Sequence, residues 1–220
     1  MAHALILGMT QSGKTTLAKK LATMYRDNGV GVLVYDPLSD PDWDCDYKSS
    51  DLDEFLATLW NSRSCAVFID EAGDVAGQHD KEVQKTATRG RHWGHRMHYI
   101  SQRGTMINRT IRDQCSNLFL FATALEDVKI HAAEWNKPQL REAANFNQGD
   151  YFSVSRFGQL KQDNIFGVKK DATNSETSHT DSRASTDSNR NVLEPEKPST
   201  GDSGKRARKS TATKPTSFTA

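Results

Sequence analysis

The residues Gly8-Met9-Thr10-Gln11-Ser12-Gly13-Lys14-Thr15 satisfy every fixed position of the pattern G-x-x-x-x-G-K-[ST]. They fall between an apolar run, Ala4-Leu5-Ile6-Leu7, and a stretch with helical spacing from Thr16 to Asn28. This context constrains the fold, because the chain must turn sharply from a strand into a helix while aiming its backbone amides at a polyanion. Gly8 and Gly13 permit the curvature, and the helix opening at Lys14 adds its positive dipole end. The expected nucleotide cradle is therefore Gly8, Met9, Thr10, Gln11, Ser12, Gly13, Lys14, Thr15 and Thr16. Within it the Lys14 ammonium would reach the β- and γ-phosphates, and the Thr15 hydroxyl would ligate Mg²⁺.

A phosphate cradle suits a kinase, a GTPase or a motor equally. A second motif narrows the choice. Ser64-Cys65-Ala66-Val67-Phe68-Ile69-Asp70-Glu71-Ala72-Gly73 reads as a strand buried in a parallel sheet that ends on two adjacent carboxylates. Asp70 would belong to the Mg²⁺ shell, and Glu71 would orient and deprotonate the water that attacks the γ-phosphate. The guanine-reading N-K-x-D motif does not occur in the sequence. ATP hydrolysis is the expected chemistry.

The 220 residues, 35% hydrophobic and 26% charged, provide for one globular domain and a remainder. No apolar run has the length of a membrane span, and the first residues lack the order of a signal peptide, so a cytosolic protein is expected. Cys45, Cys65 and Cys115 are widely spaced and odd in number, which predicts reduced packing thiols and no zinc site. From Asp171 to Ala220 the chain is rich in Ser, Thr, Asp, Asn and Lys, with Phe218 its only aromatic residue. Such a composition predicts a disordered tail. Its Lys205-Arg206-Ala207-Arg208-Lys209 cluster fits contact with a phosphate backbone or an acidic partner, and equally a solubilising role.

From Met1 to about Lys170 apolar strands alternate with helical stretches, which predicts an α/β domain with a mainly parallel sheet. Strands are expected over 4–7, 31–35, 65–69, 98–101 and 118–121, and helices over 14–28, 52–61, 81–92, 109–114 and 126–135. After Gly149 the pattern changes to one resembling a terminal hairpin. Eight acids and one lysine lie between Asp36 and Glu54, whereas seven basic residues and no acid lie between Val83 and Arg112. This segregation fits a two-poled field useful to a ring of subunits or to a DNA channel, and also plain solvated faces. The spacing of His92, His95 and His98 invites a metal reading, but a helix would turn the third away and Gly94 would end that helix. Trp93 is expected to anchor packing.

The third motif is Thr88-Arg89-Gly90-Arg91-His92-Trp93-Gly94-His95-Arg96, followed by Ile100-Ser101-Gln102-Arg103. With the phosphate loop, the Asp-Glu strand and Tyr35-Asp36-Pro37, this order resembles the FtsK/HerA superfamily of DNA-pumping P-loop ATPases. The likeness is greatest to the genome-packaging ATPases of icosahedral double-stranded DNA viruses with an internal membrane, such as the tectiviruses.

That resemblance implies a sheet of five strands in the order 5-1-4-3-2, a hexameric homo-oligomeric ring, and Mg-ATP at the subunit boundary. It implies sequence-independent movement of double-stranded DNA and capsid or packaging-vertex partners. The setting would be the host cytoplasm during assembly or the virion vertex. Gln102 matches the family's polar sensor. Arg89 or Arg91 would be the arginine finger acting on a neighbour, although either fits DNA binding or helix capping. Two rivals are a zonula occludens toxin-like phage morphogenesis ATPase, which usually carries a membrane span, and a small-molecule kinase, which needs an arginine-rich lid.

Overall fold

The computed structural model describes residues 2–77 and 80–167. The tail expected from Asp171 onward, with its basic cluster, lies outside the described residues. Among the latter, eight strands form one sheet: β1 (His3–Leu7), β2 (Val32–Tyr35), β3 (Tyr47–Ser49), β4 (Ala66–Ile69), β5 (Arg96–Ser101), β6 (Cys115–Phe121), β7 (Asp150–Ser155) and β8 (Lys161–Asn164). Their order is β3-β2-β4-β5-β1-β6-β7-β8. All neighbours are parallel except the β6–β7 and β7–β8 pairs, which are antiparallel. The expectation of five strands is thus corrected to eight. The five expected strands stay contiguous as β6-β1-β5-β4-β2, with β3 added at one edge and the hairpin β7–β8 at the other.

Every residue of β1, β2 and β4 is buried, as their unbroken apolar runs require when helices cover both faces. Alternation divides the core. Leu5, Leu7, Val67, Ile69 and Tyr99 face one layer, which includes Phe55 and Leu59 of α2 (Leu52–Asn61) and Val83 of α4 (Lys81–Arg89). Ile6, Val34, Phe68 and Ile100 face Leu17, Ala18 and Ala22 of α1 (Lys14–Asp27), whose spacing puts one apolar stripe on the sheet. The remaining α-helices are α3 (Ala72–Val75), α5 (Arg109–Gln114) and α6 (Leu125–Glu134).

Side-chain caps fix several helix starts. The Asp51 carboxylate accepts from the Glu54 N–H, the Asp80 carboxylate from the Val83 N–H, and the Asn108 oxygen from the Thr110 N–H. The helix expected over 81–92 instead leaves α geometry after Arg89, passes through a 3₁₀ turn over Gly90–Trp93, and stops at Gly94 with φ 80°. Left-handed backbone there, with Ser64 packed where a Cβ would sit, requires glycine.

Candidate nucleotide site

The parallel register assembles the site at the carboxyl edge of three adjacent strands. Leu7 pairs with Ser101 and Ile69 with Tyr99, and β5 lies between β1 and β4. The next residues along each strand are Gly8, Gln102 and the Asp70-Glu71 pair. With strands about 4.8 Å apart, the backbone at Gly8 and at the Asp70-Glu71 pair stands roughly 10 Å apart, with Gln102 between them.

The loop is held from below by its own backbone. The Gly8 N–H donates to the Ser101 carbonyl at 3.3 Å and the Met9 N–H to the Ala122 carbonyl at 2.7 Å. A Cβ at Gly8 would lie 2.6 Å from the Phe121 Cβ, so the close approach demands glycine. Gly13 has φ 113°, and a Cβ there would meet Ile165 and Phe121 at 3.1 Å. Gln11, at φ 62°, is left-handed without being glycine, which turns successive amides into a concave anion nest.

Three observations fit this loop to a bound phosphate chain. The amides of Gly13, Lys14 and Thr15 take no backbone acceptor among the described residues. The Ser12 hydroxyl is buried without a partner. The Lys14 ammonium curls over the loop to donate to the Met9 carbonyl at 2.8 Å. Burial lowers the Lys14 pKa from its ordinary value, and the Glu71 and Asp70 carboxylates oppose that effect.

Asp70 is buried, and burial raises its carboxyl pKa to about 6. The Glu71 N–H, 2.9 Å from Asp70 Oδ1, opposes the rise; the carboxylates of Glu71 and Asp36 add to it, and Lys14 opposes it. Asp70 Oδ2 lies 3.5 Å from the Thr15 hydroxyl, longer than a good O–H···O bond. Two hard oxygens thus converge from separate elements, a donor set suited to Mg²⁺. Glu71 has φ 46° and ψ 41°, a strained conformation for a non-glycine residue, and its carbonyl accepts from the Asp74 N–H.

The structure therefore brings Gly8 to Thr16, Asp70, Glu71 and exposed Gln102 to one edge of the sheet. It does not bring Arg89 and Arg91 there. Both flank Gly90, which packs on Met97 near the start of β5, at the opposite edge. Arg91 donates to the Gln114 side chain at 3.1 Å and helps depress the pKa of His3 at the amino end of β1. Arg89 is exposed and makes no ion pair among the described residues.

The two-poled charge expectation is also modified. The acidic segment pairs within the chain: Asp40 and Asp42 meet Lys19 at 2.6 and 3.7 Å, and Asp44 and Asp46 meet Arg26. In the basic segment Arg103 is paired with Asp127, and Arg112 with Glu134. The histidines diverge. His95 accepts the Cys65 N–H and lies 3.1 Å from the Leu59 carbonyl, whereas His98 stacks on Phe68 with centroids 4.4 Å apart. Trp93 packs edge-on to Trp60 and donates to its carbonyl.

Sequence reasoning missed Gln148 and Phe166, which wall the cavity beside the loop. Neither lies in a motif, and only the hairpin's return to the loop brings them there.

No family model matches the chain, and no curated protein matches it. Solved structures do. The genome packaging NTPase B204 from Sulfolobus turreted icosahedral virus 2, in complex with AMPPCP, is similar with a TM-score of 0.63 at 14% identity, over 73% of this chain and 96% of that one. VirB4 of Thermoanaerobacter pseudethanolicus gives 0.57 at 12%, over 73% and 88%. The pCW3 conjugation coupling protein TcpA, with ATPgS, gives 0.55 at 12%, over 73% and 59%. At these identities the likeness is one of fold.

Proposed function

We propose that this protein is an ATP-hydrolysing motor of the FtsK/HerA type that translocates double-stranded DNA, and that its task is packaging a viral genome. The observation that carries the reading is the convergence of Lys14 and Thr15 of the loop with Asp70 and Glu71 at the carboxyl edge of one parallel sheet. The fold shared with a viral genome packaging NTPase supports the finer assignment.

In this reading the loop amides and Lys14 bind the β- and γ-phosphates, while Thr15 and Asp70 hold Mg²⁺. Held there, Mg²⁺ would supply positive charge to offset the negative charge of the phosphate oxygens. The Glu71 carboxylate accepts a proton from the attacking water, and the Gln102 amide orients that water without adding charge. Arg89 or Arg91, remote from its own subunit's loop, serves a neighbouring subunit in a ring or grips DNA. DNA contacts are to phosphates, so binding is indifferent to base order and weakens with salt. Capsid or packaging-vertex proteins are the further partners, met in the host cytoplasm during assembly.

Negative-stain imaging with a non-hydrolysable ATP analogue, Mg²⁺ and a linear duplex tests this reading. Closed rings threaded by the duplex are expected. Monomers under conditions where nucleotide is bound would refute the ring motor.

A further inference from the structure

The cavity beside the phosphate loop has two walls of different origin. Gln11, Gly13, Thr15 and Thr16 form one wall; Gln148 and Phe166, from the two ends of the β7–β8 hairpin, form the other. Its volume is about 230 Å³. Pockets that enclose a whole drug-sized ligand run to about 300–1,000 Å³, so this one suits part of a larger molecule.

The second wall is fastened to the first. Gln148 Nε2 donates to the Gln11 carbonyl at 3.0 Å, the Gly149 N–H to the Ser12 carbonyl at 3.0 Å, and the Lys20 ammonium to the Ile165 carbonyl at 2.6 Å. The Phe166 N–H donates to Asn164 Oδ1 at 2.9 Å, and the Asn164 amide donates to Asp150 at 2.8 Å. Gly149 has φ 87°, and a Cβ there would lie 2.4 Å from the Phe166 ring, so the ring rests on bare backbone. Despite this anchoring Phe166 is 54% exposed. An aromatic face is thus fixed beside a phosphate cradle with much of its surface left to solvent.

We propose that Phe166 is the stacking platform for the base of the bound nucleoside triphosphate, and that the Gln148 side-chain oxygen accepts from an exocyclic amine on that base. This rests on the triphosphate reading of the loop. The ring supplies a π-face tolerant of any base. One of the two Gln148 N–H groups is committed to Gln11, while the oxygen, the only acceptor of that amide, takes no donor among the described residues and is open to an amine on the base. Adenine, with its exocyclic amine, meets that requirement and uracil does not.

Calorimetry with Mg-ATP, Mg-UTP and magnesium tripolyphosphate, on wild type, Phe166→Ala and Phe166→Trp, tests the platform. Wild type should bind ATP more tightly than UTP. Phe166→Ala should weaken ATP binding on the order of tenfold and leave tripolyphosphate binding unchanged, while Phe166→Trp should restore ATP affinity. Unchanged ATP affinity in Phe166→Ala, or equal loss for ATP and tripolyphosphate, overturns the platform while the phosphate loop stands. If wild type binds neither ligand, the triphosphate reading itself is wrong and the platform falls with it.

Discussion

The Thr15 hydroxyl and the Asp70 carboxylate lie 3.5 Å apart although 55 residues separate them in the chain. Thr15 lies in the first turn of α1 and Asp70 follows β4, so only the sheet order brings them together. Asp70→Asn keeps the shape and removes the charge. It should abolish the affinity that Mg²⁺ adds to ATP binding while leaving metal-free ATP binding nearly unaltered. Titrations with and without EDTA check this.

Two glycines separate the effect of backbone strain from that of crowding. Gly29 has φ 72° with open space around it, so Gly29→Ala should cost only about 1–2 kcal/mol in stability. Gly13 is also left-handed, but its Cβ would press on Ile165 and Phe121 beneath the loop. Gly13→Ala should therefore both lower the melting temperature further and impair ATP binding. Thermal melts and nucleotide titrations of the two variants give the comparison.

Burial holds the imidazoles of His3 and His98 at a pKa of about 4. His98 accepts no screening from water: Phe68 stacks on it, Tyr25 packs at its edge, and nearby Arg96 and His3 further disfavour its charge. In the unfolded chain both titrate near 6.5, so between about 4 and 6.5 the unfolded state binds more protons. Stability rises with pH through that window and is lost as pH falls through it. Melting temperatures should decline from pH 6.5 toward 4, and more shallowly in His98→Leu.

Arg89 and Arg91 lie at the sheet edge opposite the loop, which gives a complementation experiment its logic. If one of them serves a neighbour, its alanine variant mixed with Glu71→Gln subunits should regain part of the ATPase activity that each variant lacks alone. Mixed rings that form without regaining activity would assign both arginines to DNA contact or structure.

Much of the fold was legible because strong local patterns coincide with its centre. The apolar runs of β1, β2 and β4 are buried on both faces, and the helices expected over 52–61 and 109–114 coincide with α2 and α5. The edges were legible only in part: a hairpin is expected after Gly149 and β7–β8 is one, but the strand β3 and the extent of β8 are not foreseen. Tyr47-Lys48-Ser49 and Lys161 to Asn164 are short, polar strands without alternation, and pairing with β2 and β7 alone makes them strands. In the site, the loop and the acidic pair announce themselves by spacing. Gln148 and Phe166 do not, because Phe166 is neighbour to Gly13 only through a hairpin formed some 150 residues later.

In the proposed mechanism Glu71 turns ATP binding into hydrolysis, and duplex DNA accelerates that step. Phosphate release should be measured for wild type and Glu71→Gln, each with and without linear duplex DNA, beside ATP affinities. Wild type should release phosphate faster when duplex is added, and Glu71→Gln should bind ATP as wild type does while turning over on the order of a hundredfold more slowly. Near-normal turnover in Glu71→Gln, or wild-type hydrolysis indifferent to duplex, would rule that mechanism out.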